Sequence, residues 1–208
     1  MKISNYLREV QHAVSVVIGE VHREQNQVAV LRGELAALTA ATDDGYQRSN
    51  FLAMNPELDD DFLGTAIHWD TYFGVDKERF HKNVELDDGL SNIAAHEFSV
   101  ASLSGSLLQY GKQGLSLRFG KQRAGCPDGR MIGSQTLNEV IWQARNQALH
   151  WEDGTFSAAV VQCFDALALN INVVFGQYRT RSMAFEVVDL LGWRTVEDFT
   201  NDLMLFDV

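Results

Sequence analysis

The sequence predicts an all-α protein, a helical bundle led by a long N-terminal helix. Three observations carry this. Only Pro56 and Pro127 interrupt 208 residues, and proline is the residue a helix interior tolerates least. Positions 3, 7, 10, 14, 17, 21, 24, 28, 31, 35 and 38 step by alternating fours and threes, reading Ile, Leu, Val, Val, Val, Val, Glu, Val, Leu, Leu, Leu. Such an apolar seam marks a helix packed along its length, and only Glu24 interrupts it. Apolar residues then recur at helical spacing through most of the chain beyond Leu137.

The elements follow in order. The seam predicts one helix over residues 1–40, facing either a second helix of the same subunit or a partner chain. Thr42-Asp43-Asp44-Gly45 has the turn chemistry to stop it. Asp59-Asp60-Asp61 suits the start of a second helix, where carboxylates meet the free amides and the positive end of the dipole. In that helix Phe62, Ala66, Trp69 and Phe73 share a face, and Trp69, Tyr72 and Phe73 read as core rather than as a base-stacking platform. Residues 76–90 are polar, hold Asp87-Asp88-Gly89, and read as a short helix and a loop. Leu90 to Tyr110 is a helix rich in Ala, Ser and Gly, which lets a neighbour come close and places it centrally.

Residues 111–133 carry six glycines and Pro127 and read as an irregular basic loop, with a short strand or hairpin possible over Leu115–Phe119. Thr136 and Glu139 have capping-box spacing, so a helix should run from about Leu137 to His150 or Trp151 and stop at Asp153-Gly154. Phe156, Val160, Cys163, Phe164, Leu167, Ile171 and Val174 form the next apolar face. Two short helices over 182–191 and 195–206 finish the chain, the second opened by Thr195. No repeat, low-complexity tract or linker divides the sequence, so residues 1–208 read as a single domain.

Composition limits the function. The chain holds 46% hydrophobic residues and a formal net charge of -11, which argues against a surface coated in basic residues for nucleic acid. The charge is uneven. Residues 1–110 carry 17 acids and 8 bases, net -9, and residues 131–208 carry 10 acids and 4 bases, net -6. Residues 111–130 carry Lys112, Arg118, Lys121, Arg123 and Arg130 against Asp128 alone, net +4. This basic segment is either a solvated loop or one that contacts phosphates. No charged-then-apolar leader opens the sequence and no stretch is apolar enough to span a bilayer, so a cytoplasmic protein with no membrane partner is expected. Cys126 and Cys163 are too few for a disulfide framework or a four-thiolate site, and both are expected to be reduced thiols, Cys163 buried. His68 and His81 lack partners at metal-ligand spacing, so no metal or cofactor is expected.

The helix beginning at Leu137 carries the most chemistry. At about 100° per residue, Leu137, Val140, Ile141, Ala144 and Ala148 share the core side. Glu139, Gln143, Asn146 and His150 form a polar stripe opposite, with Arg145 on the flank. Trp142 and Leu149 lie between Arg145 and that stripe, which predicts that another element, of this chain or of a second subunit, covers them. Arg145 and His150 diverge by about 140° at their roots, so two copies about a two-fold axis would bring the pairs around one cleft better than a single helix could. Imidazole exchanges protons near neutral pH, and guanidinium holds phosphate through paired hydrogen bonds and stabilises charge developing on it. Asn146 can orient the ring or the substrate. That kit suits RNA cleavage without a metal, the 2′-hydroxyl attacking the adjacent phosphate.

Arg145-Asn146-x-x-x-His150 on a late helix of an all-α chain resembles the signature of the HEPN superfamily (higher eukaryotes and prokaryotes nucleotide-binding domains). The family pattern is an arginine, a polar residue, a short spacer and a histidine. The resemblance covers that motif and the helical character of about the last 120 residues; the long heptad helix stands outside it. It implies a homodimeric endoribonuclease of a defence or toxin–antitoxin system, with RNA as substrate, an antitoxin as a possible partner, and a 2′,3′-cyclic phosphate product. Arg145, Asn146 and His150 would be catalytic, and Lys112, Arg118, Lys121, Arg123 and Arg130 would contact RNA. The resemblance equally allows a non-catalytic module that binds a nucleotide or a protein. The bare residues leave a structural alternative, with Arg145 paired to Glu139 or another acid and His150 capping its helix. His96-Glu97 could add to a cleft or form an interior pair.

Overall fold

The computed structural model describes residues 1–59 and 62–207, with the side chains of Leu35, Arg79 and 81–93 outside the described set. The fold is all-α. Helices α1 (Ile3–Met54), α2 (Leu63–Thr71) and α3 (Lys77–Phe119) come first, followed by a hairpin of β1 (Met131–Ile132) and β2 (Gln135–Thr136). Helices α4 (Leu137–His150), α5 (Ala158–Asn170), α6 (Ala184–Leu191) and α7 (Val196–Met204) complete it. The chain forms two compact units, one of residues 1–24 and 98–208, the other of residues 25–97.

In the first unit the N-terminal seam buries as its spacing predicts, with Ile3, Leu7, Val14 and Val21 all shielded from solvent. Ile3, Leu7 and Val14 join one core with Leu107, Leu108 and Leu115 of α3, Val140 and Ile141 of α4, and Phe164, Trp193, Phe199 and Phe206. At about 25 cal/mol per Å² of apolar surface, full burial of each such side chain contributes roughly 1.5–3 kcal/mol. The start of α1 is tied to the other end of the chain, where the Asp207 carboxylate accepts from Ile3 N at 3.0 Å and Ser4 N at 3.3 Å. Hydrogen bonding with Ser4 holds the Asp207 carboxyl below its usual range. That carboxylate satisfies amides that a helix N-terminus leaves unpaired.

Three expectations about where helices end are corrected. Helix α1 does not stop at Thr42–Gly45 but continues to Met54. Thr42 folds its hydroxyl back onto Leu38 O at 2.9 Å, and Gly45 sits where a Cβ would collide with the Thr71 side chain. The turn-forming residues are therefore absorbed into the helix, and the stop is set by Asn55-Pro56, since the residue before proline avoids the helical region. Residues 77–90 are helical rather than a short helix and a loop. Asp87-Asp88-Gly89 lies inside α3, where an isolated glycine costs only ~1 kcal/mol relative to alanine.

The irregular basic segment is shorter than 111–133, because α3 runs to Phe119 and takes in the expected strand Leu115–Phe119. Gly111 and Gly114 are close-approach positions instead of breakers. A Cβ on Gly111 would lie 3.2 Å from both Ile141 and Trp193, and one on Gly114 would lie 2.9 Å from the Tyr6 ring. Together with Gly105 against Ala148, they let α3 press onto α1 and α4, in keeping with its central placement. Helix α3 ends at Gly120 (φ 76°), whose amide reaches Ser116 O at 2.8 Å. The hairpin forms at Met131–Thr136, where Gly133 (φ 60°) supplies the left-handed residue of a two-residue loop.

The later elements match their sequence signals. Helix α4 spans Leu137–His150, with the Thr136 side chain accepting from Glu139 N and Gly154 (φ 64°) in the left-handed stop. Phe156 precedes α5 and Val174 lies in the 3₁₀ turn after it, so their shared face is divided between elements. Thr195 and Asp198 form a reciprocal capping box at α7. Cys163 is buried and Cys126 half-buried, both free thiols. Burial pushes Cys163 up to about 12 and Cys126 up to about 11, so neither supplies a thiolate near neutral pH.

In the second unit, α2 packs on α1 through its small face. Gly64 is buried and a Cβ there would lie 3.0 Å from Leu52. Ser49 donates to Gly64 O at 2.9 Å, while the Asp59 carboxylate accepts from Gly64 N at 2.6 Å. Asp60 and Asp61, expected to share that capping, lie outside the described residues, as does the side chain of His81. The face of Phe62, Ala66, Trp69 and Phe73, expected in the core, is exposed instead.

Candidate functional site

Helix α4 and the end of α3 build the site. The core side of α4 is as expected, with Leu137, Val140, Ile141 and Ala144 buried. The polar stripe opposite is not a solvated face. Gln143 is 3% exposed and Asn146 half-buried, because the end of α3 and the turn beyond it lie alongside. The stripe forms a continuous hydrogen-bond relay. Arg123 donates to Glu139 Oε2 at 2.7 Å, Gln143 Nε2 to Glu139 Oε1 at 2.8 Å, Asn146 Nδ2 to Gln143 Oε1 at 3.3 Å, and Lys112 Nζ to Asn146 Oδ1 at 2.8 Å. A cation thus closes each end of the relay.

Both cations also lie over the Trp142 ring, Lys112 Nζ at 4.6 Å and Arg123 Cζ at 4.8 Å from its centroid. A tryptophan face attracts cations through its quadrupole, which explains how an indole on a polar flank is covered without a further helix. Arg145 stands on the same side of α4 and donates Nε to Gln109 Oε1 at 2.5 Å. Lys112 and Arg145 therefore both meet neutral amide oxygens. The Lys112 ammonium is pushed down to about 8, first by partial burial and then by the Arg145 and Arg123 guanidiniums. An ammonium so placed gains from a bound anion.

His150 leaves the relay. Its Nδ1 is 3.0 Å from Asp153 Oδ2, with the two side chains 53% and 62% exposed. An ionised carboxylate only accepts, so Asp153 favours the tautomer protonated at Nδ1 and leaves Nε2 as the basic nitrogen. Leu149 beside it is 58% exposed, so the cover expected over it is not supplied within this chain. Arg145 and His150 take separate partners, as their divergence around the helix requires.

The basic segment divides. Lys112 and Arg123 join the cluster, as does Arg145. Arg130 is held in the fold: its guanidinium grips the Asp202 carboxylate at 2.7 and 2.9 Å and donates to Leu191 O at 2.7 Å. The Trp193 indole donates to the same carboxylate at 2.9 Å. Arg118 lies over the Phe119 ring, and Lys121 is exposed in the turn after α3. Glu97 pairs with Arg32.

Gln109 and Asp153 belong to the site although sequence reasoning gave them no role in it, and Glu139 and Trp142, placed by that reasoning with Gln143 on or beside the polar stripe, take Arg123 and Lys112 as partners it did not name. The signal for Asp153 was present as an i, i+3 spacing to His150; Gln109 carried none, being separated from Arg145 by 36 positions. Gln147 was also missed. It is fully buried and anchors α4, with Nε2 donating to Tyr178 O at 2.8 Å and Arg181 O at 2.7 Å. Its Oε1 accepts from Met183 N at 2.9 Å. Among the described residues no group of His, Cys, Asp and Glu could hold a metal ion, and no helix is long and apolar enough to cross a membrane. No protein-family model, curated protein or solved structure matches the chain.

Proposed function

We propose that α4 and the end of α3 form an RNA phosphate site, and that the chain is a HEPN-like, metal-independent endoribonuclease. One observation carries the reading. In a chain of net charge -11, Lys112 over Trp142 and Arg145 lie near enough for each to act on the other, with amide oxygens as their partners. Two cations kept near each other in a partly desolvated site favour an anion between them, and phosphate geometry suits the guanidinium fork.

In cleavage, the 2′-hydroxyl oxygen forms a bond to phosphorus while the bond from phosphorus to the 5′-oxygen breaks. Because Arg145 and His150 diverge on one helix, the step needs two copies: His150 Nε2 of one, oriented through Asp153, takes the 2′-hydroxyl proton of RNA held by Arg145 and Lys112 of the other. Arg145 and Lys112 balance the charge that grows on the phosphoryl oxygens, and the leaving 5′-oxygen takes a proton from the Lys112 ammonium or from water. The products are a 2′,3′-cyclic phosphate and a 5′-hydroxyl. The exposed Leu149 end of α4 suits a homodimer in which two such sites meet.

The second reading is a HEPN-like module that binds RNA or a nucleotide without cutting it, favoured by the separate partners of Arg145 and His150. One experiment divides the two. Labelled single-stranded RNA is incubated with the protein in a chelator, and binding and products are both followed. Cyclic-phosphate ends that disappear in Arg145→Ala and His150→Ala support cleavage. Binding without cutting, lost in Lys112→Ala, supports the module. Neither binding nor cutting removes both.

A further inference from the structure

Two cations lie side by side on the seam between α3 and α4. Gln109 and Lys112 are three positions apart on α3, so they share one face with roughly 5–6 Å between their Cβ atoms. Each is hydrogen-bonded across to α4. Gln109 Oε1 accepts from Arg145 Nε at 2.5 Å, and Lys112 Nζ donates to Asn146 Oδ1 at 2.8 Å. Arg145 and Asn146 are neighbours in sequence, so the two bonds form adjacent rungs and bring the Lys112 amine close to the Arg145 guanidinium.

The amine has uncommon surroundings for a lysine. It is half-buried, lies 4.6 Å from the centroid of the Trp142 ring, and meets a neutral amide oxygen rather than a carboxylate. The charges that act on it are the Arg145 and Arg123 guanidiniums, the latter paired with Glu139 at 2.7 Å. Partial burial and those cations all favour the uncharged amine, and they push the group down to about 8. A lysine in that state is a nucleophile. Gln109 takes Arg145 Nε and leaves the fork of terminal guanidinium nitrogens for a phosphate.

A nucleophilic amine beside a phosphate-binding guanidinium suits a reagent that joins an electrophilic carbon directly to a phosphate. We propose that Lys112 is an acyl-acceptor site for small acyl phosphates, whose phosphate Arg145 holds while Lys112 Nζ takes the acyl group. In the step, the Nζ lone pair forms a bond to the acyl carbon, and the bond from that carbon to the bridging phosphate oxygen breaks with its electron pair. Inorganic phosphate leaves, and the surplus proton on nitrogen passes to it or to water. The amide product carries no charge, so the modified site has one cation fewer with which to hold RNA. The inference rests on the anion-binding part of the proposed function and on none of its cleavage chemistry.

The test incubates the full chain with acetyl phosphate at pH 7.5 and follows acetylation of each lysine by peptide mass spectrometry. Lys121, exposed in the turn after α3, is the reference residue, and acetic anhydride is the reference reagent without a phosphate. With acetyl phosphate, Lys112 is expected to react about tenfold or more faster than Lys121, because roughly a quarter of a group near 8 is free amine at this pH against about a thousandth of an ordinary lysine. The rate at Lys112 should saturate with acetyl phosphate and fall in inorganic phosphate, while the rate at Lys121 does neither. Arg145→Gln should lower the acetyl phosphate rate at Lys112, taken relative to the anhydride rate in the same variant, by about tenfold or more, as loss of a charged hydrogen bond does. That ratio cancels any change in the amine itself, and an unchanged circular dichroism spectrum confirms that the variant folds. Acetylation of Lys112 no faster than that of Lys121 overturns the proposal. So does fast reaction with both reagents that neither inorganic phosphate nor Arg145→Gln slows. RNA binding is measured separately on the unmodified chain: binding without selective acetylation refutes this inference and spares the proposed function, and selective acetylation without binding does the reverse.

Discussion

Gln147→Leu tests whether α4 is positioned by its buried amide. The substitution keeps the bulk of the side chain but removes both polar ends. Tyr178 O and Met183 N lose their hydrogen bonds in fully buried surroundings, and Arg181 O loses one in a partly buried place. Each buried group left unpaired costs about 1–3 kcal/mol, and the partly buried one less because water can reach it. The sum is about 3–6 kcal/mol, a large share of the 5–15 kcal/mol that typically holds a domain together. For a chain of this size, at about 2–4 °C per kcal/mol, it corresponds to a fall in Tm of roughly 6–24 °C. Gln143→Leu is the matched control. Gln143 is equally buried, but its partners are the Glu139 and Asn146 side chains, which can turn toward solvent, so its loss should stay near about 1 kcal/mol. The assay is urea unfolding followed by tryptophan emission in a Trp69→Phe background, so that the signal comes from Trp142, Trp151 and Trp193 of the first unit. A loss below about 1 kcal/mol for Gln147→Leu, or equal losses for the two variants, would refute the reasoning.

Two further predictions concern the cationic residues. Because the Lys112 ammonium is held down to about 8, the folded chain binds fewer protons there than the unfolded chain between about pH 8 and 10.5, so stability contributed by this group rises with pH across that window. Anion binding runs the opposite way: RNA affinity should fall as pH rises through 8 and beyond, and Lys112→Arg should flatten the profile, measured by fluorescence anisotropy from pH 6.5 to 9.5. Arg130→Met should destabilise the chain by roughly 1–3 kcal/mol, since it leaves Asp202 without its bidentate partner, yet leave the salt dependence of RNA binding unchanged. Lys112→Ala should instead reduce the slope of log affinity against log salt by about 1.

Much of the first unit was legible because its signals are local. The seam at 3, 7, 10, 14, 17 and 21 and the caps at Thr136 and Thr195 act within a few residues of themselves, and Gly154 stops α4 in the same way. The elements they mark fall where the periodicity puts them. The glycines and aspartates misled for a related reason. Gly45, Gly111 and Gly114 are breakers by local propensity, but their lack of a side chain is used by Thr71, Ile141, Trp193 and Tyr6, none of which is nearby in sequence. The aromatic face of α2 is the same lesson reversed. Its period is that of a packed helix, and only the fit of Gly64 and Thr71 against α1 decides that the opposite side packs.

The candidate site divides along the same line. The sequence alone determined that Arg145, Asn146 and His150 share one well-capped helix, that Arg145 and His150 diverge around it, and that a basic segment precedes it. Tertiary structure decided which of those bases matter to the site, because hydrogen bonds and cation–ring contacts depend on distances of a few ångströms between residues far apart in the chain. It drew Lys112 and Arg123 onto Trp142, committed Arg130 to Asp202, and gave Arg145 to Gln109. Periodicity fixes the direction in which a side chain leaves its helix, whereas its partner is fixed only when another helix arrives.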